Sequence, residues 1–388
     1  SRPERLLMRG AGRCSRALVA SALSQRRGAP LLVVVPTLEE AGRWTALLEL
    51  MGWGQASLYP TSEGSPYEPF DPTSEITWGQ LQVLSDLLGE PNAASWAIVA
   101  TERCLQPHLP PPDVLKTKTR TLRKGDEVDL EALGETLAQL GYERVTTIEQ
   151  EGSWSRRGDI VDIFPVSSEL PVRLEFFGEE LDKLREFDPA SQRSLDPVDA
   201  LRLTPTGFGP LIADQLRETM PDGLEQLLGS EGTEQLLNGG TPEGMRRLMG
   251  LAWEQPASLL DYLPHTTTVV IDERRQGLAH GQQWLSHVEE HHHDMAAEAG
   301  LDEGDRDRLW PAVLHREIEA AYALTEVFHG FDMAELLEVD QHPNSFDLAS
   351  RPVAAYPNQF GKLAELIKGF QKEKARVWLL SAQPSRAV

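Results

Sequence analysis

The chain has 388 residues, 40% of them hydrophobic and 25% charged, with a formal net charge of −23 and two cysteines. That balance suits a water-soluble protein of two or three domains whose cores need no staples, and Cys14 with Cys104 excludes a disulfide framework and points to a reducing cytosol. No apolar run approaches the roughly 20 residues of a membrane span, no signal peptide is expected after the basic start at Arg2, Arg5 and Arg9, and the acidic balance excludes a strong grip on duplex DNA, which rests on Lys and Arg neutralising phosphates.

In chain order, the first elements read α/β. Leu31 to Val35, followed by Pro36, is a continuous apolar run, as in a strand buried on both faces. Thr37 caps the helix that follows, through about Met51. A weaker strand is expected near Ala56–Leu58, a helix over Ser74–Leu88, and a buried strand over Trp96–Ala100. This alternation predicts a parallel sheet. The run Leu109-Pro110-Pro111-Pro112 marks a boundary. Beyond it Lys116, Lys118 and Arg120 alternate with threonines, as on a half-exposed edge strand. A helix over Asp129–Leu140 and short strands near Trp154, Gly158–Phe164, Val172–Phe177 and Lys183–Phe187 predict an antiparallel α+β unit ending near Pro205.

A helical stretch interrupted by glycines runs from about Pro210 to Trp253. Thr266–Ile271 then reads as a strand that returns to the first sheet, which makes the α+β unit an insertion. Trp284–Ala299 reads as a charged helix. From about Asn344 a new β-rich unit is expected, with Arg376–Ser381 as its buried strand. The expected organisation is residues 1–112 and 207–330 as two parts of one α/β domain, 113–206 as the inserted α+β domain, and 331–388 as a linker with the truncated start of a further α/β unit. Both ends read as cut, so the sequence is expected to be part of something longer.

The densest motif is Arg157-Gly158-Asp159-Ile160-Val161-Asp162-Ile163-Phe164-Pro165, then Val172-Arg173-Leu174-Glu175-Phe176-Phe177-Gly178, continuing through Glu180-Leu181-Asp182, Phe187-Asp188 and Gln192-Arg193-Ser194. It resembles the second domain of the excision-repair protein UvrB, which also occurs in the UvrB-like front region of bacterial transcription-repair coupling factors (Mfd). The resemblance implies a degenerate RecA/helicase-like parallel sheet around the inserted, UvrB domain 2-like unit. It also separates the two families. UvrB-type motors need G-x-x-x-x-G-K-[ST], in which backbone N–H groups cradle phosphates, Lys reaches the outer oxygens and a hydroxyl binds Mg²⁺. Here Gly10-Ala11-Gly12-Arg13-Cys14-Ser15-Arg16-Ala17 stands in its place. Ser15 replaces the second glycine, Arg16 the lysine and Ala17 the hydroxyl residue. The acidic pair Asp272-Glu273 is kept, but Arg275 stands where a DEAH-like motif has His. The region from Tyr59-Pro60 to Tyr67-Glu68-Pro69 leaves no room for the long DNA-wedging hairpin of UvrB. Both departures agree with the coupling factor.

Strand alternation sends Val172, Leu174 and Phe176 one way and Arg173, Glu175 and Phe177 the other. The second set places an aromatic ring beside a cation, the pairing that dominates binding hot spots, and Arg157 extends it. The resemblance implies that Arg157, Arg173 and Phe177 contact UvrA. The alternative is a plain salt bridge from Arg173 to Glu175 or to a neighbouring strand, with Phe177 packed under a loop. The resemblance further implies a cytoplasmic adaptor that recruits UvrA to stalled RNA polymerase and is not itself an enzyme. It implies no cofactor for this chain, with ATP, Mg²⁺, RNA polymerase and duplex DNA engaged through later domains, and no membrane. A UvrB-like nucleotide-dependent helicase is the alternative function, and a plain DNA-binding fragment a weaker one. His287 and His291 share a helix face but lack a third metal ligand, Lys116–Lys124 reads as the polar side of an edge strand, and Trp154 as core or partner contact.

Overall fold

The computed structural model describes residues 5–89, 96–220, 222–298, 304, 308–335, 344–350 and 359–377. Residues 1–348 form one compact unit and residues 349–388 a second. The first unit opens with β1 (Leu6–Arg9), α1 (Arg13–Arg26), β2 (Leu31–Val35), α2 (Leu38–Glu49), β3 (Gln55–Tyr59), α3 (Ser74–Leu88) and β4 (Trp96–Thr101). The Thr37 hydroxyl accepts the Glu40 N–H at 3.2 Å and so starts α2.

All of β2 and β4 is buried. Leu32, Val34 and Ile98 face one core, and Leu31, Val33, Val35 and Val99 face the other. Burying a Val or Leu side chain is worth about 1.5–3 kcal/mol, so these two strands have apolar reason to sit at the centre. On one face Trp44 and Leu48 of α2 and Ala17 and Ala20 of α1 cover them; on the other, α3 contributes Leu81 and Leu84.

Between β4 and the strand that next joins this sheet, the chain builds a different structure. It contains α4 (Pro112–Lys118), β5 (Arg120–Arg123), α5 (Leu130–Gln139), β6 (Glu143–Arg144), β7 (Ser153–Arg157), β8 (Ile160–Phe164), β9 (Val172–Phe177), β10 (Glu180–Phe187), β11 (Ser194–Pro197) and β12 (Ala200–Leu203). A six-stranded sheet runs in the order β11-β10-β9-β8-β7-β6, and β5 pairs with β12 apart from it. Its ladders are antiparallel except for β6–β7. Asp129 caps α5, accepting the Glu131 N–H at 2.8 Å. That helix lays Leu133 and Leu137 on Trp154, Val161, Leu174 and Leu184. Gly134 lets the helix approach closely there, because a Cβ would lie 3.0 Å from the Trp154 ring.

Helices α6 (Gly209–Thr219), α7 (Leu224–Leu237) and α8 (Met249–Ala252) follow. Then β13 (Thr268–Asp272) pairs in parallel with β2. After α9 (Arg274–Glu298) come β14 (His329–Met333) and β15 (Ser345–Asp347). The resulting seven-stranded sheet has the order β15-β1-β14-β13-β2-β4-β3, and every ladder is parallel.

Three features depart from the sequence expectations. Lys116 and Lys118 lie on α4, not on a strand: Pro112 at its first position is preorganised for helix, and the edge strand begins only at Arg120. A break at 330–331 falls inside β14, which pairs with both β13 and β1. The segment from Asn344 supplies β15 to that same first sheet, and the second compact unit begins after Leu348. In that second unit the described element is the helix Phe360–Lys372. The strand expected over Arg376–Ser381 lies mostly outside the described residues.

Candidate functional site

The phosphate-loop position lies between β1 and α1. Gly10 turns the chain at φ +74°, a backbone conformation that side chains with a Cβ resist. Gly12 precedes the helix without a side-chain cap. Arg16, one turn in, is 2% exposed. Its guanidinium folds back over the loop, with Nη1 donating to the Ala11 carbonyl at 2.9 Å. Nε lies 2.8 Å from Asp272 Oδ1, a close ion-pair contact without an aligned N–H. Nη2 donates to Asp272 Oδ2 at 3.4 Å, and Nη1 is 3.2 Å from Glu273 and 3.5 Å from Glu335. The Trp44 indole donates to Asp272 Oδ2 at 2.8 Å. Burial pushes the Asp272 carboxyl up to about 6, against the pull of Arg16 and Trp44. Ala17 is fully buried under the sheet. Arg16 therefore meets Asp272 and Glu273, with Gly10 in the turn before its helix and Ala17 packed in the core beside it. The chemistry differs from a phosphate cradle: the cation that would reach a phosphate is engaged by the protein's own carboxylates.

The second candidate is a strand face of the six-stranded sheet. In β9, Val172, Leu174 and Phe176 are buried, Arg173 and Glu175 are partly exposed, and Phe177 is 82% exposed. The turn at Gly178, φ +64°, leads straight into β10 and leaves the Phe177 ring at the tip of the hairpin. Ile160 in β8, opposite Glu175, is also exposed.

Arg173 is not free on this face. It lies opposite Asp162, whose carboxylate accepts its Nε at 2.7 Å and its Nη2 at 3.0 Å. This hydrogen bonding raises the arginine's pKa, and a third donor, Nη1, reaches the Gln192 carbonyl at 3.4 Å. The guanidinium also stacks 4.7 Å above the buried Phe187 ring. Arg157, at the end of β7, donates Nη2 at 2.9 Å to Asp162 Oδ2, the oxygen that also accepts Arg173 Nη2, while its side chain stays 60% exposed. Asp162, 1% exposed, therefore fixes both arginines. Glu175 pairs instead with Lys183 at 3.3 Å. The sequence reading quoted Asp162 and Phe187 within the motif but gave neither a role. Strand alternation in Gly158–Phe164 puts Asp162 on the face opposite Val161 and Ile163, which is the signal that marks it.

The remaining candidates separate. Trp154 is buried in the core. His287 and His291 stack at 6.3 Å. His292 instead meets the Trp310 carbonyl, at 2.9 Å, and the Tyr67 ring. Among the described residues no group of three His, Cys, Asp or Glu is placed to hold a metal, and no helix is long and apolar enough to cross a membrane.

The chain thus joins a parallel α/β sheet, with Arg16 and its carboxylate partners at the loop after β1, to an antiparallel unit bearing an Arg–Asp–Arg cluster. Within it residues 121–207 match the protein family described as UvrB interaction domain. Residues 352–388 match the family described as cyanobacterial Mfd, Rossmann-like domain. The transcription-repair-coupling factor of Bacillus subtilis strain 168 is 28% identical over 286 residues, 69% of this chain and 24% of that protein. That of Escherichia coli K12 is 29% identical over 272 residues, 69% of this chain and 23% of that protein. That of Mycobacterium tuberculosis is 31% identical over 275 residues, 66% of this chain and 22% of that protein. The chain thus resembles transcription-repair-coupling factors and carries a UvrB interaction domain, and it spans about a quarter of the length of these relatives.

Proposed function

We propose that this chain is the UvrB-like adaptor module of a transcription-repair coupling factor, which recruits UvrA in the cytoplasm to stalled RNA polymerase. The polymerase, duplex DNA, ATP and Mg²⁺ are engaged by later domains of the full-length protein. The observation that carries this reading is the Phe177 ring, 82% exposed at a hairpin tip within the UvrB interaction domain, on the strand that also carries Arg173, one of two arginines held by one buried carboxylate. An exposed aromatic with preorganised guanidinium forks is what a protein hot spot needs: buried area on docking and directional donors at low entropic cost. The module turns over no nucleotide of its own. Asp272 and Glu273 occupy the Arg16 guanidinium, and Ala17 offers no hydroxyl to a metal ion.

The test is direct binding of purified UvrA to the 388-residue chain by calorimetry. Phe177→Ala and Arg173→Ala each weaken binding by about 2 kcal/mol, roughly thirtyfold. Unchanged affinity in both variants, with circular dichroism preserved, rejects the face. A parallel titration with Mg-ATP gives no heat of binding; micromolar affinity there would favour the nucleotide-dependent helicase reading instead.

A further inference from the structure

A cleft opens beyond the carboxyl ends of β3 and β4, the edge of a parallel sheet at which open α/β folds take ligands. The loop after β3, the segment after β4, the turn at Met245–Leu248 and Trp284 of α9 form its walls. It encloses about 80 Å³ of water-accessible space. One water needs on the order of 10–15 Å³ on this measure, so the cleft suits a group of a few heavy atoms rather than a nucleotide.

Three arginines line it: Arg103, Arg246 and Arg247. Each is held against an aromatic ring rather than locked in a buried ion pair. Arg103 lies 5.9 Å from Trp284, Arg246 5.0 Å from Phe208, and Arg247 5.5 Å from Trp310. Rings orient a guanidinium but leave its charge uncompensated. Among the described residues Arg246 and Arg247 form no ion pair, donating instead to Gln80 Oε1 at 2.8 Å and the Leu227 carbonyl at 3.1 Å, while Arg103 pairs at 2.9 Å with Glu63, whose side chain is 68% exposed, and lies 3.9 Å from the buried Glu102. The other nearby carboxylates face backbone: Glu68 accepts the Ser65 N–H at 3.2 Å and Asp71 the Arg246 N–H at 3.0 Å. His108 adds no charge, because burial and Arg246 push its pKa down to about 3. Its Nε2 meets the Tyr59 hydroxyl at 2.6 Å and its Nδ1 the Gln106 carbonyl at 2.7 Å.

Two donors on this wall have no acceptor. Arg103 Nε and Arg247 Nε are both buried and without a hydrogen-bond partner. An unmade bond to a buried charged donor is costly, and an uncompensated buried cation more so. The carboxylates around the cleft are Glu63 and Glu102, which meet Arg103, with Glu68 and Asp71 turned to backbone N–H groups, and no side-chain carboxylate accepts a hydrogen bond from Arg246 or Arg247.

We propose that this cleft is a binding site for a tetrahedral oxyanion of the phosphate class, gripped by Arg103 and Arg247 with Arg246 as the deep counter-charge. The site is separate from the loop at Gly10–Ala17 and independent of the docking face. Calorimetric titration of the 388-residue chain with inorganic phosphate, chloride replacing it at equal ionic strength in the control, gives saturable binding. Arg247→Gln and Arg103→Gln each raise the Kd at least tenfold, and Arg247→Lys raises it less. Phosphate no better than chloride, or an unchanged Kd in both glutamine variants, overturns the site. Should a variant fail to fold, hydrogen exchange on the unaltered chain decides: phosphate slows exchange in residues 60–73 and 102–108. Protection confined to residues 10–16 would overturn the assignment to this cleft. A short single-stranded oligonucleotide that displaces the phosphate identifies nucleic acid as a source of the group; one that does not leaves the free ion or a small phosphoester, and both results keep the phosphate chemistry.

Discussion

Removing the Arg16 guanidinium tests whether the phosphate loop is filled from within. In Arg16→Ala, the Asp272 carboxylate stays 1% exposed with Glu273 beside it, but the cation that answers it is gone. Breaking a buried ion pair from one side costs about 3–5 kcal/mol. The Trp44 indole, still at 2.8 Å, offsets about 1 kcal/mol of this, so a loss of about 2–4 kcal/mol is expected at neutral pH. Asp272→Ala costs less, about 2 kcal/mol, because Arg16 retains Glu273 and the Ala11 carbonyl. The apolar pair Arg16→Met with Asp272→Leu recovers most of the loss, since neither charge is then left alone. A chain with several cores does not unfold in one step. The readout is therefore hydrogen exchange of residues 10–26 and 268–276 in increasing urea. Asp272 also gives the pH dependence a sign. Its folded pKa lies above the unfolded value of 3.8, so folding favours the protonated form. Losing Arg16 raises that folded pKa further, so the deficit of Arg16→Ala is full above the variant's raised pKa, shrinks as the pH falls towards about 6, and is flat below it. Single variants that each cost under about 1 kcal/mol and add without coupling would refute the reasoning.

Asp162→Ala frees both Arg157 and Arg173 while leaving Phe177 untouched; UvrA affinity falls at least tenfold in calorimetry, and wild-type affinity would dissociate the clamp from docking. Glu102 is 2% exposed with neither carboxylate oxygen hydrogen-bonded, and burial pushes its carboxyl up to about 7 from 4.5. Its stabilising proton is fully held below pH 4.5 and lost as pH rises through 7, so Glu102→Gln gains stability relative to wild type between pH 5 and 8. At about 1.4 kcal/mol per unit, the gain reaches on the order of 3 kcal/mol; parallel melting-temperature profiles of the two proteins would sink this account. Gly134→Val drives a branched side chain against the Trp154 ring and costs about 1–3 kcal/mol in thermal unfolding, and a neutral result would mean that α5 can shift away.

The sequence disclosed the parts of the fold that announce themselves locally. Strands β2 and β4 are continuous apolar runs because both faces of the sheet are covered, and Thr37 and Asp129 mark helix starts by what their side chains accept. Strands β1, β14 and β15 carry no such mark. Each is three to five residues long, mixed in polarity, and defined by partners far along the chain. The alternating Lys and Thr near Lys116 imitates a strand until the proline at the first helical position decides otherwise. At the candidate site, alternation was enough to put Arg173 and Phe177 on one face. The Asp162 clamp was not legible, because it depends on the register between β8 and β9, which no local pattern fixes.

The parallel ladder that gives β1 its place has a consequence for how the protein is made. Among the described residues β1 pairs with β14 and β15 alone, so a nascent chain exposes Leu6–Arg9 until residues beyond His329 have left the ribosome. At roughly 5–20 residues per second, that wait lasts about 15–65 s. The antiparallel hairpins from Ser153 to Pro197 pair with near neighbours and close long before then. The antiparallel unit is complete early, and the seven-stranded sheet closes only once β14 and β15 have been made.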